Sequence, residues 1–158
     1  MTVALARLMN EETAAYARSF ADRLSFMAVV PLPYINESIQ EAKYALDELG
    51  AVGLILLSNS EGKYLGDPTF TDFFKNVNER EGRQIIFVHP ATPYLIIDGD
   101  LVEANPTRYP TGFSEYYFET ARTFQDLTVT QTLHNFSNID WIVPHAGAAY
   151  PTILDRVL

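Results

Sequence analysis

Short blocks of consecutive apolar residues alternate along this chain with longer stretches in which apolar residues return every three or four positions. The blocks predict strands near residues 26–30, 52–57, 84–88 and 140–144. They are apolar on both faces, as expected of strands in a parallel sheet covered by helices. The periodic stretches predict helices. Ala17, Phe20, Ala21 and Leu24 form one stripe, and Ile39, Ala42, Leu46 and Leu49 a second. Phe70, Phe73, Phe74 and Val77 form a third, and Phe113, Tyr117, Thr120, Ala121, Phe124 and Leu127 a fourth.

Polar punctuation sharpens the boundaries. Asn10 before Glu11 and Glu12 reads as a helix N-cap with acids in the first turn, and Asn36 with Glu37 reads the same way. Asp67-Pro68 places a cap before a proline at the first helical position. Gly50 and Gly82 read as helix stops. Residues 90–112 keep no period and read as a long loop, a lid or a dimer contact, whose apolar Tyr94, Leu95, Ile96 and Ile97 would want cover. A last helix begins at Tyr150. The order is one helix followed by four strand–helix units, which is an α/β chain with a parallel sheet.

Composition narrows the function. The 158 residues are enough for one domain with a sizeable core. Twenty acidic against 11 basic residues leave a net charge of −9, the opposite of the basic footprint a nucleic-acid surface needs. The chain has no cysteine, so disulfides and thiolate chemistry are excluded. No apolar stretch approaches the roughly 18 residues of a membrane span. These features predict a cytoplasmic protein that binds neither nucleic acid nor membrane.

Candidate chemistry lies at the strand ends. In "RQIIFVHPATP" an apolar block runs into His89, and in "DWIVPHAGAAYP" another runs into His145. Parallel α/β folds gather their chemistry at the carboxyl ends of strands, and neutral imidazole serves as metal ligand or as acid and base. For one such histidine a structural role, bonded to nearby backbone, is the better reading. Two in equivalent settings favour function. His134 falls near a helix C-terminus and reads as structural. Lys63, with Asn59 and Ser60, reads as a solvated turn rather than a substrate contact.

The segments "FVHPATP", "WIVPHAGAAYP" and "GAVGLILLSNSEGKYLGDPTFTDFFKNVNER" resemble signature segments of the amidohydrolase-related metal-dependent family. The likeness is nearest to its decarboxylase branch, which includes aminocarboxymuconate-semialdehyde, γ-resorcylate and 6-methylsalicylate decarboxylases. It implies a (β/α)₈ barrel with a divalent metal, often zinc, acting on a small-molecule carboxylic acid. By the same likeness His89 is a metal ligand and His145 the proton-transfer group, with Gly147 matching a family glycine; substrate-binding residues stay unknown. Ala148 departs from the family's glycine or glutamate. The family's first-strand His-x-His or Glu-x-His pair and its last-strand aspartate have no counterpart here. Residues 1–158 are therefore expected to form a single partial barrel domain with four of the eight βα units. Such a piece would hold metal weakly and self-associate through exposed sheet edges, as a homo-oligomer or a looser assembly. The reaction implied is non-oxidative decarboxylation of an aromatic or unsaturated acid. Hydrolysis of C–N or C–O bonds, or a non-catalytic remnant acting through association, are the other readings.

Overall fold

A computed structural model describes residues 1–156 as two compact units. The first comprises Met1–Leu56, Thr69–Phe87 and Phe136–Ile142, and the second Leu57–Pro68, Val88–Asn135 and the described residues from Val143 on.

Four strands, β1 (Ala28–Val29), β2 (Leu54–Leu57), β5 (Gln84–His89) and β8 (Ile139–Ile142), form a parallel sheet in the order β1-β2-β5-β8. Ala28 aligns with Leu54, and Gln84 with Ile139. All four expected strands are present, β1 shortened to two residues.

In the first unit α1 (Thr2–Ser19), α2 (Ile35–Asp47) and α3 (Thr71–Asn78) accompany the sheet. The Phe70, Phe73, Phe74 and Val77 face is fully buried, as its spacing predicts. Phe74 meets the rings of Phe136 and Trp141 at centroid distances of 5.9 and 5.6 Å. At Gly53 the backbone passes tightly against Ile85 of β5. A Cβ there would lie 2.7 Å from the Ile85 carbonyl oxygen, so only glycine fits.

Asn10 corrects the sequence reading. It is not an N-cap but an interior residue of α1, 2% exposed. Its Nδ2 donates to the Val29 carbonyl, and its Oδ1 accepts from the Val29 N–H, both at 2.9 Å. Ala28 N–H bonds towards Gly53, so Val29 presents its backbone groups to the outer side of β1. The Asn10 carboxamide thus stands in for a neighbouring strand, and the open edge expected here is closed at Val29. Asn10 also donates to Glu41, which accepts a further bond from Arg7. These bonds put Glu41 in the interior, so α2 buries Ser38, Glu41, Ala42 and Ala45. Ile39, Leu46 and Leu49 are only half-buried. The helix is preceded by Tyr34, so Asn36 and Glu37 lie in its first turn rather than at the cap. α1 ends at Ser19, which leaves Phe20 and Leu24 exposed.

The second unit holds two hairpins, β3 (Asn59–Ser60) with β4 (Lys63–Tyr64) and β6 (Tyr94–Ile97) with β7 (Asp100–Glu103). The second occupies the expected long loop. Its turn is Asp98-Gly99, with φ of 53° and 92°. Two successive positive φ values match the right-handed twist of the strands, which is why Asp-Gly is a hairpin signal. Glu61 and Gly62, at 51° and 79°, do the same for the first hairpin. The strand residues of the longer hairpin remain largely exposed, Ile96 at 73%. α4 (Thr111–Val129), α5 (Thr132–Asn135) and α6 (Tyr150–Ile153) complete the unit. A 3₁₀ turn over Leu154–Arg156 follows α6, and the last two residues of the expected helix lie outside the described residues. No helix among the described residues is long and apolar enough to cross a membrane.

Candidate functional site

α4 keeps only the C-terminal part of the apolar face its spacing predicts. Thr120, Ala121, Phe124 and Leu127 are buried, whereas Phe113 and Tyr117 are 72% and 49% exposed. Two carboxylates, Glu115 and Glu119, are buried instead. The reason is a polar network at Glu119. Its Oε1 accepts from the Tyr64 hydroxyl at 2.6 Å and from Arg122 at 3.1 Å. Its Oε2 accepts from Asn59 Nδ2 at 3.0 Å and Ser58 Oγ at 3.3 Å. Four donors offset the desolvation of a charge that would otherwise be costly to bury. Burial and then the Glu119 hydrogen bond push the Tyr64 hydroxyl far above its usual range. Farther along α4, burial raises Asp126, although the Gly66 N–H it accepts at 2.7 Å pulls the other way.

The two strand-end histidines come to one stretch of α4. His89 is the last residue of β5, and its ring meets Tyr116 edge-on with centroids 6.1 Å apart. Its Nδ1 lies 2.8 Å from the Pro90 carbonyl oxygen. A carbonyl only accepts, so Nδ1 carries the proton and Nε2 the lone pair of the neutral ring. Metal-ligating histidines are oriented in this way.

His145 lies in a 3₁₀ turn, Pro144–Gly147, just after β8. Its ring lies against Tyr117, with centroids 4.6 Å apart. Its Nδ1 is 3.2 Å from Thr120 Oγ1. The single Thr120 hydroxyl proton goes to the Tyr116 carbonyl at 2.9 Å, so the hydroxyl oxygen accepts from His145. Nε2 is again the basic nitrogen. The backbone here is strained. His145 and Ala146 have φ of 53° and 50°, Gly147 follows at 83°, and Ala148 sits at φ 50°, ψ −124°. Such conformations are uncommon outside glycine and gather at functional sites.

His134 stands apart on α5, beside a cavity of about 780 Å³ that Thr128 and Tyr150 also line. Lys63 is exposed on β4, but Asn59, which the sequence groups with it in a solvated turn, lies on β3 and is buried. Sequence reasoning missed Ser58, Glu119 and the pairing of Thr120 with His145. The available signal was the spacing of Glu115, Glu119 and Arg122 by four and three residues, which stacks three charges on one helical face.

Residues 1–157 match the family model described as Amidohydrolase. The chain belongs to that family. Its curated relatives include the 6-methylsalicylic acid decarboxylase acuB of Aspergillus aculeatus, 30% identical over 155 residues, covering 96% of this chain and 44% of the relative. A crystal structure of an amidohydrolase II superposes with a TM-score of 0.86 at 27% identity, over 99% of this chain and 49% of that one. The 5-carboxyvanillate decarboxylase of Novosphingobium aromaticivorans, solved with bound manganese and a nitrobenzoic acid ligand, shares the fold. Its TM-score is 0.79 at 23% identity, over 97% of this chain and 42% of that one. This amidohydrolase chain spans 40% to 44% of the length of the curated relatives it matches.

A catalytic zinc takes three protein ligands and a water. Among the described residues no three histidine, aspartate, glutamate or cysteine side chains are grouped to hold a metal ion. The residues present therefore do not fit a resident metal by themselves.

Proposed function

We propose that residues 1–158 form one part of a carboxy-lyase barrel acting on a small aromatic or unsaturated carboxylic acid. The observation that carries this reading is the meeting of His145 and His89 on Tyr116, Tyr117 and Thr120 of α4. The decarboxylase identity of the relatives supports the reaction type. His145 is the proton-transfer group. Thr120 holds its Nδ1–H, so Nε2 first takes a proton from solvent and then delivers it to the carbon bearing the carboxylate, which returns the ring to its neutral form. As that C–H bond forms, the bond to the carboxylate breaks and CO₂ leaves, its bonding electrons staying on the carbon.

His89 is the residue through which this chain would touch a divalent metal, zinc by the family likeness. With so few ligands the contact is weak, and no step is assigned to it. Self-association belongs to the same reading, through the exposed Leu95, Ile96 and Ile97 of the hairpin. A cytoplasmic location is part of it as well.

Ligand titration followed on the histidine ring resonances separates decarboxylation from amide hydrolysis. 6-Methylsalicylate should shift the His145 resonances and leave His134 unmoved. A cyclic amide of similar size should shift neither histidine. Selective response of His145 to the amide would favour the hydrolase reading, and silence to both would remove the site.

A further inference from the structure

Three hydrogen bonds pin the backbone just after His89. The Ser58 N–H donates to the His89 carbonyl at 2.9 Å, and the Ala91 N–H donates to Ser58 Oγ at 2.8 Å. Asn59 Nδ2 donates to the Thr92 carbonyl at 3.0 Å. The corner from His89 to Thr92 is therefore held by two adjacent residues, Ser58 and Asn59.

Both side chains are aimed by Glu119. Ser58 Oγ already accepts from Ala91, so its single proton is the one offered to Glu119 Oε2. Asn59 Oδ1 accepts from the Gly62 N–H at 3.1 Å, which fixes the amide so that Nδ2 faces both Glu119 and Thr92. Ser58 is fully buried, and Asn59 is 3% exposed. Water therefore does not readily replace these bonds. Thr123 packs beside them, its one hydroxyl proton shared between the Glu119 carbonyl at 2.9 Å and the Ser58 carbonyl at 3.2 Å. Nothing in the proton-transfer step uses Glu119, yet it is 0% exposed and saturated with donors.

We infer that Glu119 is a positioning residue for His89, acting through Ser58 and Asn59. The inference deepens the reading of His89 as the metal-facing histidine, on which its use in the enzyme rests. Glutamine at position 119 keeps the shape but turns an NH₂ group towards donors on one side of the network. The corner then loses one of its guides.

The test follows two signals in the whole 158-residue chain: hydrogen exchange at the Ala91 amide and the ring resonances of His89. Glu119→Gln should speed Ala91 exchange about tenfold and move the His89 signals, with His134 unchanged. Ser58→Ala should do the same, and the double variant should add little to either single one. Phe124→Leu, a core change in the same unit, should lower stability without moving either signal. Additive effects, or a folded Glu119→Gln protein with both signals unmoved, would overturn the inference. If Glu119→Gln fails to fold, Ser58→Ala decides alone by the same criteria. Neither signal needs metal, so failure of Mn²⁺ to reach His89 in the native chain would overturn the metal reading and not this one.

Discussion

Thr120 accepts a hydrogen bond from Nδ1 of His145 at 3.2 Å because its own proton is committed to the Tyr116 carbonyl. One threonine thereby selects the tautomer of the proposed proton-transfer group. Thr120→Val preserves shape and removes the acceptor. The ring nitrogen shifts of His145 should then move towards a mixture of tautomers, a change of about fivefold in their ratio, equivalent to roughly 1 kcal/mol. Thr120→Ser should keep the native pattern. Unchanged shifts in the valine variant would show that Thr120 does not set the tautomer.

Ala148 occupies φ 50°, ψ −124°, a region glycine enters freely and alanine does not. Ala148→Gly should stabilise the chain by about 1 kcal/mol, despite the usual penalty of added backbone freedom. Denaturant midpoints check this. A loss of stability would mean that the strain is smaller than the entropy glycine brings.

Much of the fold was legible because it rests on periodicity. The four strands and the Phe70–Val77 face follow directly from apolar spacing. What escaped was long-range and polar. Asn10 has the composition of a cap, but its amide pairs with Val29 across 19 positions, which no local pattern encodes. Glu119 sits where an exposed helical charge is expected, and only the fold brings Ser58 and Asn59 to it from 61 and 60 positions away. The Asp98-Gly99 hairpin is different. Its Asp-Gly signal is local, but both flanking strands are largely exposed and so carry no apolar–polar alternation to mark them. For the site, the strand-end histidines were visible, while their common footing on α4 was not.

The raised Asp126 gives a pH dependence with a definite sign. Burial favours its neutral form in the folded state, so its folded pKa lies above the unfolded value. Its contribution is fully present below the unfolded pKa and is lost as pH rises through the folded pKa. Asp126→Asn keeps an acceptor for Gly66 without the charge. Compared with this variant, the native chain should lose relative stability on going from strongly acidic to neutral pH. Urea midpoints at the two ends of that range measure it. A relative gain towards neutral pH would reverse the assignment and make the Gly66 bond the dominant influence.

In the proposed site His89 and His145 flank one space, to which His134 does not belong. Paramagnetic broadening of the three histidine ring signals during Mn²⁺ titration tests this most directly, since even weak binding registers. His89 and His145 should broaden together, at the same metal concentration, before His134 is affected. Broadening of His89 with His145 untouched, or of His134 at the same concentration as the other two, would contradict it.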